Sequence, residues 1–429
     1  MQKKWNFIVL VILVLIVLVW GNNYEMGAVP DSIDKGDTAW MLVASAFVLL
    51  MTPGLAFFYG GMVNSKNVIS TMLQSFVALG IVSVLWIIVG FSLAFGDSIG
   101  GIIGDPRTYL NFNGVSLSPN EDFGATIPFL LFAFFQLKFA IITPALITGS
   151  FAGRIRFRSY ILFIVLFILF IYAPLAHMTW HPDGLLRNWG VLDFAGGTVV
   201  HMSAGFAALA GAVFLGKRKE VIHQTSNTPY IILGTALLWF GWFGFNAGSA
   251  LGVNSDTIIA FANTNLASAT AMITWIFYDR FAGRKMSALN ACIGAIVGLV
   301  AITPAAGFVS LGQSIFIGFI AALISNYAIR LKNKTTLDDT LDVFPSHGIG
   351  GIVGMILTAV FAKEVGLIYG ETDTFMWHII ALVLVSIFTF GGSWILYWVV
   401  NKMIPIRVRE DQEDRGLDQS QHGESYEVS

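Results

Sequence analysis

His201 and His347 are imidazoles set in long apolar stretches, in the contexts VVHMSAG and PSHGIGG, 146 residues apart and each with a glycine four positions on. An imidazole placed in hydrocarbon is costly unless it is paired or serves a pathway, so each marks a functional position. Histidine has a pKa near 6.5 and two distinct nitrogens, so two rings sharing one proton keep a fixed donor–acceptor order and can pass a proton along. The same pair could instead act as axial ligands of a haem. His177, His181, His223, His378 and His422 lack such matched settings.

The elements that must carry these histidines are membrane helices. Hydrophobic residues make up 56% of the chain, charged residues 12%, and the mean hydropathy is +0.74, which excludes an ordinary soluble domain. Eleven apolar segments are long enough to span about 30 Å of hydrocarbon. They are centred on residues 38–60, 68–95, 124–150, 159–178, 195–215, 229–250, 257–279, 286–304, 310–330, 346–362 and 375–401. One set of alternate connections, with the C-terminal tail, holds 17 basic residues; the other holds only Lys35, Arg107, Arg187 and Lys363. That asymmetry predicts a cytoplasmic C-terminus and an external start to the first span. The histidine segments are the fifth and tenth spans, so two five-helix repeats would run in opposite directions through the bilayer. The predicted class is an all-α membrane protein.

Residues 1–22, with Lys3 and Lys4 before an apolar run, read as a signal peptide or an uncleaved signal anchor. Residues 23–406 form the transmembrane domain. The tail, 407–429, is polar and reads as a flexible cytoplasmic segment or one docked onto the inner face. Cys292 is the only cysteine, which excludes disulfides within the chain and cysteine-built metal sites. No cofactor, metal or nucleic acid is expected.

Several strings share one likeness: FFYGGMVNSKN (57–67), FAIITPALI (139–147), DFAGGTVVH (193–201), GWFGFNAGSA (241–250), DVFPSHGIGGIVG (342–354) and GLDQSQHGE (416–424). In order and spacing they resemble the ammonium transporter (Amt/Mep/Rh) family, on its bacterial and archaeal Amt side. The resemblance implies a transporter and not an enzyme: a homotrimer in the plasma membrane, each eleven-helix subunit with its own narrow pore for ammonium or ammonia. It also implies that the cytoplasmic face can meet a small trimeric PII signal protein.

Residue by residue, the resemblance makes Trp180 the outer recruitment tryptophan and Ser249 the hydroxyl that accepts a hydrogen bond from ammonium. Phe139 and Phe245 become the stacked rings that close the pore, and Asp193 the carboxylate that organises the cation site. Asp193 also suits an N-cap of the fifth span. His201 and His347 become the twin histidines of the lower pore. After Trp180 the family's glycine-rich turn is replaced by His181-Pro182-Asp183, one residue longer. Lys138 is the anomaly, about fourteen residues or 21 Å from either end of its span. A cation on the pore wall would oppose ammonium, so Lys138 is expected to face away, in packing, in a subunit interface or paired with an acid. An electroneutral ammonia channel and an ammonium sensor on the same scaffold are the alternative functions.

Overall fold

In an apolar surrounding every backbone N–H and C=O needs a partner within the chain, and helices supply one. The computed structural model describes residues 30–219 and 225–426, together with Val11, Leu15 and Leu18 in helical conformation. The assignment of a leader over 1–22 otherwise lies outside the described residues. Among the described residues nine helices are long and apolar enough to cross a membrane. They are α1 (Lys35–Met62), α2 (Ser65–Phe95), α3 (Phe129–Phe151), α4 (Phe157–Asn188), α5 (Gly197–Leu215), α6 (Thr228–Ala250), α9 (Leu311–Lys332), α10 (Phe344–Phe361) and α11 (Thr372–Met403). At the seventh and eighth predicted spans stand α7 (Ser255–Phe281) and α8 (Ala288–Ile302). The first carries buried Asn263, Thr264 and Ser268, and the second is apolar but only 15 residues long.

Small residues let these helices close on one another. Where α1 crosses α6, a Cβ on Gly234 would lie 2.3 Å from the Phe58 nitrogen, so only glycine fits. Polar side chains turned inward find backbone partners; Asn263 donates to the carbonyls of Ala306 and Val309 at 2.9 and 2.8 Å. The third span begins at Phe129 rather than near 124. The chain first makes a tight turn in which Asn120 bridges Gly124, and Pro128 then sits at the N-cap.

The tail docks. Ile155 bridges Arg407, and the Val408 N–H donates to the Arg154 carbonyl at 3.0 Å. A short helix, α12 (Glu410–Arg415), follows. The Asp418 carboxylate then accepts from the N–H groups of Ile69 and Ser70 at 3.0 and 2.7 Å, in the first turns of α2. Those N–H groups have no helical partner of their own, and the positive end of the helix dipole favours an anion there. At the same face Asp338 is shared by the buried Arg154 (2.6 Å) and by Arg218 (2.8 Å), and Lys332 pairs with Asp342 at 2.5 Å.

Candidate functional site

At the opposite end of the bundle a vestibule of about 330 Å³ is lined by Trp180, Ser249, Phe139 and Asp193, with Asp122, Asp256 and Arg187. Three carboxylates against one guanidinium make its wall net negative. The α4 helix is interrupted directly after Trp180, where the Asp183 N–H donates to His181 Nδ1 at 3.0 Å. His181 stacks on His177 with ring centres 4.3 Å apart, and His177 is itself held by the Ala94 carbonyl (3.0 Å) and Ser98 Oγ (2.8 Å). Trp180 Nε1 donates to the Asp193 carbonyl at 3.1 Å, which fixes the indole over the cavity. The Ser249 hydroxyl donates to the Phe245 carbonyl at 2.8 Å. Its hydrogen is thereby committed, and its oxygen remains as an acceptor toward the vestibule.

Asp193 is buried and its oxygens are fully engaged. It accepts from the N–H groups of Gly196 (2.8 Å), Gly197 (2.6 Å) and Thr198 (2.7 Å), and from the Thr198 hydroxyl (2.5 Å). Burial pushes its carboxyl above the usual range, while these donors pull it back. It therefore caps the start of α5 and still lines the cavity.

Beneath the vestibule the rings of Phe139 and Phe245 pack together with centres 4.2 Å apart, and Trp180 meets Phe139 edge-on at 5.8 Å. Below them His201 lies parallel to Phe245 at 5.9 Å and to Trp242 at 5.4 Å. The Nδ1 atoms of His201 and His347 are 3.4 Å apart. Each histidine sits in a π-helical turn at the head of its helix, Gly197–Met202 and Phe344–Ile349; such turns re-aim side chains and recur at functional positions. The glycines four residues on let α5 and α10 touch. A Cβ on Gly205 would fall 2.2 Å from the Gly348 nitrogen, and one on Gly351 3.3 Å from the His201 Cβ. Rings this close leave no gap for a haem plane between them.

The order of protons along the pair follows from Thr303. Its hydroxyl donates to the Leu299 carbonyl at 2.7 Å and accepts from Trp242 Nε1 at 2.9 Å. Toward His201 Nε2, at 3.3 Å, the oxygen then acts as acceptor. A neutral His201 so held carries its hydrogen on Nε2, Nδ1 accepts from His347 Nδ1, and His347 Nε2 is left as the open acceptor.

Sequence reasoning missed Thr303, Trp242 and Asp339. The first two reach His201 from other helices, which no local pattern reveals. Asp339 did leave a signal: it precedes His347 by eight residues, as Asp193 precedes His201. Its carboxylate accepts from the Phe344 N–H at 2.7 Å, capping α10 as Asp193 caps α5. Because Asp193 lines the vestibule while Asp339 lies beside Asp338 at the tail face, the two histidine helices start from opposite ends. Lys138 is not in the vestibule wall; it lines a lateral groove between α1 and α3. Among the described residues no group of three His, Cys, Asp or Glu side chains could hold a metal ion.

Residues 39–427 match the model of the Ammonium Transporter Family. The chain is 47% identical over 399 residues to an ammonium transporter of Aquifex aeolicus (strain VF5), covering 91% of this chain and 93% of that one. It is 44% identical over 401 residues to an ammonium transporter of Bacillus subtilis (strain 168), covering 91% and 98%. Among solved structures, Mep2 of Saccharomyces cerevisiae matches with a TM-score of 0.85 at 32% identity, over 91% of each chain. A structure titled Sensor Amt Protein matches at 0.83 and 30%, over 90% of this chain and 98% of that one.

Proposed function

Since this chain belongs to the ammonium transporter family, we propose that it carries ammonium across a cell membrane, recruiting the cation at the vestibule and passing ammonia and its proton separately along His201 and His347. The observation that carries this reading is a single column of groups. A net-negative cavity with a tryptophan and a free hydroxyl acceptor stands above a closed pair of phenyl rings, and two touching imidazoles follow directly beneath. Moving a unit cation out of water costs several kcal/mol even after the protein relaxes around it. The indole of Trp180 offsets about 0.5–2 kcal/mol of that. Potassium is similar in size, so the discrimination comes from giving up a proton, which potassium cannot do. Ammonium gives up its proton near the Phe139–Phe245 gate, neutral ammonia slips through the apolar lumen, and the histidine pair relays the proton.

In this reading all eleven helices cross the plasma membrane, the docked tail is cytoplasmic, and three copies assemble with one pore each. The tail face, with its loops and α12, is where a PII signal protein would dock.

An ammonium pulse on proteoliposomes tests the proposal, with potassium and empty vesicles as controls. A transient current specific to ammonium is expected. Alkalinisation of the lumen without current would replace the proposal by an electroneutral ammonia channel. Neither signal, with ammonium still bound, would leave a sensor, as one of the structural relatives is named.

A further inference from the structure

The turn after Trp180 carries a pair of histidines that the transport reading leaves without a task. Proline holds the residue before it in extended backbone, and His181, ahead of Pro182, has φ -68° and ψ 141°. The chain then folds back on the end of its own helix. The Gly184 N–H donates to the His181 carbonyl at 2.9 Å, and a Cβ on Gly184 would lie 2.3 Å from the His177 carbonyl oxygen. The Leu185 N–H donates to the Gly101 carbonyl at 2.8 Å, which ties the turn to the loop after α2. His177 and His181 stack with ring centres 4.3 Å apart, and Phe123 of the vestibule wall meets His181 edge-on at 5.5 Å.

The hydrogens of both rings are assigned by their partners. His177 Nδ1 faces the Ala94 carbonyl, which only accepts, so Nδ1 carries the hydrogen and Nε2 accepts from the Ser98 hydroxyl. His181 Nδ1 faces the Asp183 N–H at 3.0 Å, which only donates, so Nδ1 is bare and the hydrogen sits on Nε2. The rings therefore differ in what a second proton does. On His177 it goes to Nε2, and the Ser98 hydroxyl can turn to accept from it. On His181 it goes to Nδ1 and sets two N–H groups against each other. The bond to Asp183 then breaks, and the turn opens beside Trp180. The charged groups facing His181 are Asp183 and Arg187 on α4, Asp122 ahead of α3 and Asp97 behind α2, with His177 across the stack. The carboxylates draw a proton inward; the Asp183 N–H and the burial of the ring resist it.

We propose, on the transport reading, that His181 is a positioning residue for Trp180: its bare Nδ1 closes the turn that presents the indole to the vestibule, and a second proton releases it. Because proton and closed turn exclude each other, acid favours the open turn. Acid on the vestibule side therefore weakens recruitment of the cation, a step ahead of the twin histidines.

The test compares the unaltered protein with His181→Asn and His181→Leu at pH 7.5 and pH 5.0, on either side of the usual histidine range. Asparagine carries an acceptor oxygen on Cγ, where histidine carries Nδ1, and does not titrate; leucine has no acceptor. In proteoliposomes the ammonium concentration that gives half-maximal current should rise about tenfold from the higher pH to the lower for the unaltered protein, and stay level for His181→Asn. His181→Leu should need the higher concentration at both. Amide hydrogen exchange over residues 183–190 is followed alongside in detergent, with variants compared at equal pH. His181→Asn should match the unaltered protein at pH 7.5 and exchange about tenfold more slowly at pH 5.0. Equal exchange by these two at pH 5.0 would overturn the proposal. Parallel shifts in half-maximal concentration would do the same, as would an unchanged half-maximal concentration for His181→Leu at pH 7.5. No current from the unaltered protein, with the exchange contrast intact, would remove the transport reading and uphold the proton-operated turn.

Discussion

The two histidine helices use the same device at opposite ends of the bundle, but its surroundings differ. Asp193 and Asp339 each precede a histidine by eight residues and cap a π-helical turn. Asp193 is held by four hydrogen bonds, all from its own segment, and faces a cavity open to a cation. Asp339 sits amid a lattice of ions, with Arg154 and Arg218 on Asp338 and Lys332 on Asp342. Asp193 has both oxygens in hydrogen bonds beside the vestibule, whereas Asp339 leaves Oδ1 buried without a partner among the described residues, the ion pairs around it falling on its neighbours Asp338 and Asp342. The shared cap thus stands at an open mouth at one end and in an ion-paired lock at the other.

The largest expected effect separates the two caps. Asp193→Ala strands three buried N–H groups and should cost about 3–5 kcal/mol, abolishing transport. Asp339→Ala strands two, those of Phe344 and Val343, and should cost less in thermal unfolding of the detergent-solubilised protein. Equal losses would dissolve the contrast between mouth and lock.

Next comes pH. Burial pushes the Asp339 carboxyl up from 3.8 to about 6; Lys332 and the N–H groups of Phe344 and Val343 oppose the rise, and Asp342 adds to it. The folded state therefore favours the protonated form. This contribution is full below 3.8 and is lost as pH rises through 6, up to about 3 kcal/mol. Asp338 runs the other way. Burial raises it, yet Arg218 and Arg154 hold it down at about 2, so its contribution stands above 3.8 and is lost as pH falls through 2. Between pH 4 and 7 the unfolding midpoint of the unaltered protein should fall relative to that of Asp339→Asn, and parallel profiles would refute this.

The glycines give a smaller contrast. Gly205→Ala drives a methyl into the Gly348 backbone and should cost about 1–3 kcal/mol, whereas Gly351→Ala, whose nearest neighbours are 3.1 Å away, should cost less. Thermal unfolding of the two variants ranks them. Thr303→Val removes the acceptor that orders His201 and should slow ammonium-specific current about tenfold, or about 1.4 kcal/mol, whereas Thr303→Ser, which keeps the acceptor, should leave the current near that of the unaltered protein. Among the described residues no hydroxyl anchors His347 in this way, so the loss belongs to the His201 half alone.

The helices were legible because hydropathy alone reports a segment that must satisfy its backbone internally. Even α7 was found, although Asn263, Thr264 and Ser268 interrupt its apolar run, since their polar groups turn inward. The start of α3 was misplaced because Gly124 and Pro128 act through turn geometry that apolar content does not register. The positions of Trp180, Ser249, Phe139, Phe245, Asp193, His201 and His347 were marked by local strings, and the structure brings all seven into one column. Thr303 and Trp242 belong to that column through contacts between helices distant in sequence, which no string encodes. Lys138 was legible as an oddity, and only the groove beside it gave it a setting.

The latch between Asp418 and the start of α2 has a consequence for biosynthesis. Its two halves are separated by nearly the whole chain, with the Ser70 N–H and the Asp418 carboxylate 348 positions apart. A nascent polypeptide inserts α2 early and must hold that helix end uncapped until Asp418 has left the ribosome. A product cut short after α11 and before Asp418 would retain every membrane helix and still lack this bond. The cap of the second helix in this way waits on a residue made 348 positions later.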